Sequence, residues 1–291
     1  MGFRHILFPV DFSPRSYGAV PFVRALAARY RAAVTLVHVV EPPPTWVGID
    51  GGYAVEPDMA SLKAHAEQQL ATFAMDEFPH LSVTRMVEEG DPGGCISDLA
   101  HSWHVDLIMM PTQGHGALHR ALLGSVTART LHNCDCAIWT GVHLEGHKPD
   151  QPTPPHTDLK TILCAIELVP ESAALLKYAR EIAIEAGAAV HIVHAIPTAE
   201  VPPDKYFDQP LEVFLRDFAH EEIAKLQKEA QTNFDSYIEV GSVANVVHDA
   251  AEKFNADLII IGRGVINRTA GDLRTEAYGI MREAPCPVIS V

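Results

Sequence analysis

Short apolar runs alternate with longer amphipathic stretches along this 291-residue chain. In the first half the runs are HILFPV (5–10), AVTLVHVV (33–40), VTRMVEE (83–89), DLIMM (106–110) and CAIWT (136–140). Each is short and rich in branched aliphatic residues, the pattern of strands buried on both faces. Between them, SYGAVPFVRALAARYRA and MASLKAHAEQQLATFAMDEF carry apolar residues at helical spacing over the length of a crossover helix. This alternation predicts a parallel sheet with helices on both faces.

The second half repeats the order, with TILCAI (161–166), AVHIVHAI (189–196), FDSYIEV (234–240), DLIII (257–261) and CPVISV (286–291). Gly90 matches Gly241, Asp106 matches Asp257 and Pro111 matches Gly262, each pair 151 residues apart, while Asp11 matches Glu167 and His38 matches His194 at 156. The difference of five is a longer loop in the first half, around TWVGIDGGYAVEPD. Residues 142–158, VHLEGHKPDQPTPPHTD, are polar with four prolines and continue neither sheet, so they are expected to form an extended linker. The expected organisation is therefore a first domain over 1–141, a linker over 142–158 and a second domain over 159–291. The fold class is α/β: two homologous, open, mostly parallel five-stranded sheets of Rossmann-like character with helices on both faces. Each half ends in a short apolar strand with an exposed edge. Pairing of the residues around Ile138 with those around Ile289 would cover both edges and make the chain an internal pseudo-dimer.

Composition narrows the partners. Apolar residues make up 47% of the chain, enough for two cores. A formal net charge of −15 repels polyanions, so neither nucleic acid nor an anionic membrane is expected as a partner. Asp11 and Pro9 interrupt the early apolar run where a signal peptide needs continuity, and no run approaches membrane-spanning length. Five cysteines spread over both halves suit free thiols in a reducing compartment, and the expected location is the cytoplasm.

The candidate chemistry lies where the first, second and fourth strands end. In open parallel sheets a ligand sits beyond the carboxyl ends of the strands, where the strand order reverses. Asp11 lies just past the first strand, Val39 near the end of the second, and DLIMM runs into PTQGHGALHRALLGS. Ser125 is a natural N-cap for the helical SVTARTLHN, and Gly124 permits close backbone approach. A helix start with free amides and a small hydroxyl is an anion site.

PVDFS at 9–13, LVHVV at 36–40 and GHGALHRALLGSV at 114–126 resemble the universal stress protein family, and the resemblance covers nearly the whole chain. Nucleotide-binding members carry GxxG, nine residues, then G followed by S or T, which this chain matches from the second glycine onward through Gly114, Gly124 and Ser125. The resemblance implies an adenine nucleotide alpha hydrolase-like fold. It implies that Asp11 and Val39 contact ribose and adenine, while Gly114, Gly124, Ser125 and Val126 cradle the phosphates. The adjoining strand ends, Pro9, Val10, Met110 and Thr112, complete the set. Pro111 stands at the first glycine of the motif; it has no amide hydrogen, so a contact made by that group is absent.

In the second half, residues 262–276 read GRGVINRTAGDLRTE, with Val265, Thr275 and Glu276 in place of Gly114, Gly124 and Ser125. Glu276 puts a carboxylate where a phosphate would lie, at a helix end that favours negative charge. Two readings stand: an ordinary helix in which Arg274 or Arg282 pairs Glu276 or Glu283, or a basic pocket of Arg263, Arg268 and Arg274 for another anion.

Sixteen histidines include the pairs His101/His104 and His115/His119, neither with an adjacent third ligand. Cys134 and Cys136, expected at the start of the fifth strand, read as packing residues, like Cys286. No GxxxxGK[ST] loop, nucleophile elbow or arginine finger is present, so fast hydrolysis is not expected. The expected function is a cytoplasmic stress-response module. Its first domain binds ATP, ADP or AMP with any accompanying Mg²⁺, its second is structural, and its partners are an unidentified protein and a second tandem chain in a homodimer. The alternative is an interaction or chaperone-like scaffold that binds no nucleotide. A nucleotide-using enzyme such as an adenylyl transferase lacks a visible catalytic group.

Overall fold

The computed structural model of the chain describes residues 2–42, 58–112, 123–141, 159–197, 211–263 and 273–291. They form two compact units, one from residues 3–112 and 124–136, the other chiefly from 137–141 and the described residues from 159 onward.

The first unit runs β1 (His5–Pro9), α1 (Pro14–Tyr30), β2 (Ala33–Val40), α2 (Met59–Thr72), β3 (Val83–Glu89), α3 (Pro92–Ser102), β4 (Leu107–Pro111) and α4 (Ser125–Asn133). Its strands lie in the order β3-β2-β1-β4, all parallel. The chain moves outward from β1 to β3 and then returns to the other side of β1 for β4, so the order reverses between β1 and β4. Ile6, Leu7 and Phe8 are buried, as a central strand covered on both faces requires.

Local sequence explains the helix starts. Ser13 caps α1 by accepting the Ser16 amide (3.2 Å), with Pro14 behind it. Asp58 caps α2 by accepting the Ser61 amide (3.1 Å) and hydroxyl (2.5 Å). Asp91 caps α3 by accepting the Gly94 amide (2.8 Å), again followed by a proline. Gly90, between β3 and α3, has a φ of 141°, which a side chain would resist.

The second unit contains β5 (Ala137–Gly141), β6 (Thr161–Ala165), α5 (Ser172–Ala186), β7 (Ala189–Ile196), α6 (Leu211–Ala230), β8 (Asp235–Val240), α7 (Val243–Phe254), β9 (Leu258–Ile261), α8 (Leu273–Glu283) and β10 (Val288–Ser290). Its order is β5-β10-β9-β6-β7-β8. β5, the last strand of the first repeat, pairs antiparallel with β10, and the other pairs are parallel. The terminal strands thus meet as expected: Ile289 faces Trp139 and Ser290 faces Ile138.

The repeat extends to individual hydrogen bonds. Asp106 accepts the amides of Arg4 and His5 (both 2.9 Å), and Asp257 accepts those of Lys160 (2.7 Å) and Thr161 (2.9 Å). One carboxylate thereby ties the start of the first strand of each repeat to the approach of its fourth. Removing it strands two amides, so Asp106→Ala and Asp257→Ala should each cost about 1–3 kcal/mol. Urea unfolding checks this, and wild-type midpoints for both variants would refute it.

Candidate functional site

β1 continues past Pro9 into a tightly held turn. The Val10 amide donates to the Val37 carbonyl (2.8 Å), and Nδ1 of His38 bonds the Val10 carbonyl (2.7 Å). The next residue, Asp11, accepts the Ser13 amide (3.0 Å) and the Ser16 hydroxyl (2.5 Å) on Oδ1. The Asp11 amide in turn donates to the Ser16 hydroxyl (3.2 Å). Phe12 adopts a left-handed φ of 60°, and its ring lies 4.5 Å from that of His38 and 6.0 Å from that of Phe73. Such a conformation is uncommon for a bulky residue and is sustained here by packing on both sides. The carboxylate is therefore fixed by two serines and a strained, packed turn.

β4 delivers Met110 and Thr112, both buried, beside the end of β1. From Thr112 the backbone carbonyl reaches the start of α4, accepting the Gly124 amide (2.8 Å), while the Thr127 hydroxyl donates to the Pro111 carbonyl (3.1 Å). Pro111 is the last residue of β4, and its carbonyl remains a usable acceptor although it has no amide.

Gly124, and not Ser125, is the N-cap of α4. Its backbone is extended (φ −60°, ψ 144°), and it supplies no side-chain cap. The cap moves because Gly124 ties back to Thr112, which leaves Ser125 as the first helical residue, exposed. The amides of Ser125, Val126 and Thr127 have no acceptor within their own helix, as in any first turn. Lacking a capping side chain, they form an end suited to an external anion.

Of the residues expected from sequence, Pro9, Val10, Asp11, Val39, Met110, Thr112, Gly124, Ser125 and Val126 all lie at the ends of the adjoining β1, β2 and β4 or on the first turn of α4. Gly114 lies outside the described residues, as do His115 and His119. Sequence reasoning missed the supporting roles of Ser16, Phe12, His38 and Thr127. For His38 a signal existed in its match to His194.

The second unit keeps the scaffold. Nδ1 of His194 bonds the Ile166 carbonyl (3.0 Å), and the Ile166 amide donates to the Val193 carbonyl (2.9 Å). At the acid the two units part: Ser172, the counterpart of Ser16, donates to the backbone carbonyl of Glu167 (2.7 Å). Glu276 lies exposed in the first turn of α8, and Arg282 pairs with Glu283 as one of the two readings holds. Of the alternative basic pocket, Arg263 follows β9 with its amide on the Val291 carbonyl (3.0 Å), while Arg268 and the side chain of Arg274 lie outside the described residues, as do Val265 and the side chain of Thr275.

Cys134 and Cys136 precede β5 and do not lie on it: Cys134 is the C-cap of α4, and the strand begins at Ala137. With Ser97, His101, His104 and Asn133 they line a cleft of about 310 Å³. His101 is on α3, whereas His104 lies beyond it at φ 50°, so the two do not share a helical face. Among the described residues no group of three or more His, Cys, Asp or Glu side chains is arranged to hold a metal ion. No helix among them is long and apolar enough to cross a membrane.

A model of the universal stress protein family matches residues 2–140 and again 158–291. The chain is 31% identical over 146 residues to universal stress protein A homolog 1 of Coxiella burnetii, covering 48% of this chain and 98% of that protein. It is 26% identical over 209 residues to a universal stress protein of Mycolicibacterium smegmatis, covering 68% of this chain and 66% of the other. Among solved structures, a universal stress protein from Archaeoglobus fulgidus superposes with a TM-score of 0.67 at 18% identity, covering 99% of this chain and 97% of that one. At that identity the likeness establishes the fold alone.

Burial pushes the thiols of Cys164 and Cys286 from 9.0 up to about 12, with Asp257 adding to the effect at Cys286; burial and then Glu88 also raise Cys95. Cys164 and Cys286 should resist alkylation at pH 8 in the folded protein and react once it is unfolded. Since their folded values lie above the unfolded one, the stability they contribute is complete below about pH 9 and is lost as pH rises toward 12. Mass spectrometry of alkylated native protein checks this, and rapid labelling of Cys164 would contradict it.

Proposed function

The chain belongs to the universal stress protein family, and from that premise we propose that its first domain binds an adenine nucleotide while its second is a structural partner. The domains proposed are 1–141 and 159–291, joined by the linker 142–158, in a cytoplasmic stress-response module. The observation that carries the reading is the amide end of α4, capped by a glycine and tied by the Gly124 amide to Thr112 at the reversal of strand order. Anions are favoured at such an end by both the free amides and the helix dipole.

The residues fit a nucleotide in type. Val39 is half-buried and apolar near the end of β2, and Asp11, held by two serines, lies just past the end of the adjoining β1, a combination suited to a purine base and a ribose hydroxyl. Gly124, Ser125 and Val126 would hold the phosphates through backbone amides and one hydroxyl, with Pro9, Val10, Met110, Thr112 and Gly114 around them. The bound group supplies a ligand whose occupancy reports on the cell; this chain's own residues bind, orient and shield it. The role proposed is binding and signalling. A ligand of this kind shifts the protein between states only as far as it prefers one of them.

Pro111 favours a second reading. Its ring occupies a position within β4 where the nucleotide-binding motif has glycine, so one backbone donor is absent. A scaffold that binds no nucleotide is the form this reading takes.

Isothermal titration of the whole chain with ATP, ADP and AMP decides between them. The expected result is one nucleotide per chain, heat abolished by Gly124→Glu, and binding unchanged by Glu276→Ser. Equal heats for wild type and Gly124→Glu, or none for wild type, would overturn the nucleotide reading.

A further inference from the structure

Beside the crevice, one cluster is present in the first unit and replaced in the second. The Arg129 guanidinium on α4 pairs with Oδ1 of Asp91, whose Oδ2 accepts the Gly94 amide (2.8 Å) at the start of α3. The hydrogen bond to Arg129 holds Asp91 below the usual carboxylate range, with the Gly94 amide adding to it, and Arg129 is raised in return, first by Asp91 and further by Glu41 just beyond β2. The stem of Arg129 crosses α3 at Gly93: a Cβ there would lie 2.6 Å from Cδ and 2.8 Å from Cβ and Cγ of Arg129. The Cβ of Arg129 is fixed by the backbone of α4, so turning the side chain aside would not make room.

At the same offset of 151 the second unit has Ser242, Ala244 and Ile280. Ser242 makes no side-chain cap hydrogen bond, Ile280 is buried, and a Cβ on Gly279 would lie 3.2 Å from that of Ala244. The charged pair and its glycine therefore belong to the unit whose helix presents the open amide end.

We propose that Asp91, Gly93 and Arg129 form a clasp that fixes the position of α4 against α3, with Arg129 a positioning residue that acts on the nucleotide through the first turn of α4. The proposal rests on the nucleotide reading above. α4 has nine residues and no side chain at its cap, and its ties to β4 are at its first turn, through Gly124 and Thr127. An ion pair this exposed adds little to global stability. Its consequence is local, because hydrogen bonds from the amides weaken steeply as their direction shifts.

The test measures ATP affinity by titration calorimetry, together with hydrogen exchange of the α4 amides without ligand, in Asp91→Asn, Arg129→Met, their double variant, Arg129→Lys and Gly93→Ala. Asparagine keeps the α3 cap and methionine keeps most of the stem. Each single variant is expected to weaken ATP binding about threefold, the scale of an exposed ion pair. The double variant should weaken it no further, Arg129→Lys should bind near the wild-type level, and Gly93→Ala should weaken binding with both charges intact. The α4 amides should exchange faster in every weakened variant while the unfolding temperature of Asp91→Asn and Arg129→Met stays near wild type. Weakening by Arg129→Met but not by Asp91→Asn would show that Arg129 touches the nucleotide itself and would overturn the clasp. So would unchanged affinity in both, or additive losses in the double variant. If wild type binds no nucleotide, the nucleotide reading fails separately, and unchanged α4 exchange would then overturn the clasp by itself.

Discussion

The register between β1 and β4 is the constraint on which the first unit depends. β4 is the strand that returns to the far side of β1, and pairing of Ile6 with Leu107 and of Leu7 with Ile108 sets where it ends. Asp106 enforces that alignment at the opposite edge by holding the amides of Arg4 and His5. Because consecutive strand residues point to opposite faces, a slip of one residue would move Met110 and Thr112 to the wrong side of the sheet. The Thr112 carbonyl could then no longer receive the Gly124 amide, and the start of α4 would lose its tie to the end of β4.

The two repeats separate what the scaffold determines from what the side chains determine. Two bonds that shape the turn after the first strand recur in both: the amide of Val10 or Ile166 on a β2 or β7 carbonyl, and a histidine Nδ1 on the carbonyl of the same residue. A crevice of this form is thus a property of the fold. What differs is chemistry at a few positions: Asp11 held by Ser16 through its carboxylate, against Glu167 held by Ser172 through its main chain, and an exposed Ser125 against an exposed Glu276. Family membership therefore accounts for the shape of both units and leaves binding to be argued separately for each.

Most of the fold was legible because strands buried on both faces leave continuous apolar runs. β2, β3 and β7 span the residues that their patterns mark. The ends that moved have local causes. β10 begins at Val288 because Pro287 has no amide to give the ladder, although its carbonyl still accepts from Ile259. β4 extends one residue further, to Pro111, since a proline is tolerated at the end of a strand whose amide is not required. The N-cap of α4 shifted from Ser125 to Gly124 because the deciding bond, to Thr112, joins residues twelve apart, a pairing no pattern predicts. The His38 bond and the Asp91–Arg129 pair were hidden for the same reason: spacing identifies candidates, and only folding shows which carbonyl or carboxylate they meet.

The energetic division between sheet and helix explains why binding can differ so much on one scaffold. The central strands are fully buried and gain from every methylene removed from water, on the order of 0.8 kcal/mol each, so their positions are heavily determined. The carboxyl edge is held by single hydrogen bonds and exposed ion pairs, each worth far less. Substitutions there change what the crevice can hold without threatening the core. At Ser242, Ala244 and Ile280 of the second repeat the charged pair is absent, the α7–α8 pair carries instead a bond from Nδ1 of His248 to the Glu283 carbonyl, and the sheet beneath keeps its register. A duplicated domain built this way can vary its carboxyl edge by a handful of substitutions while its stability stays with the sheet.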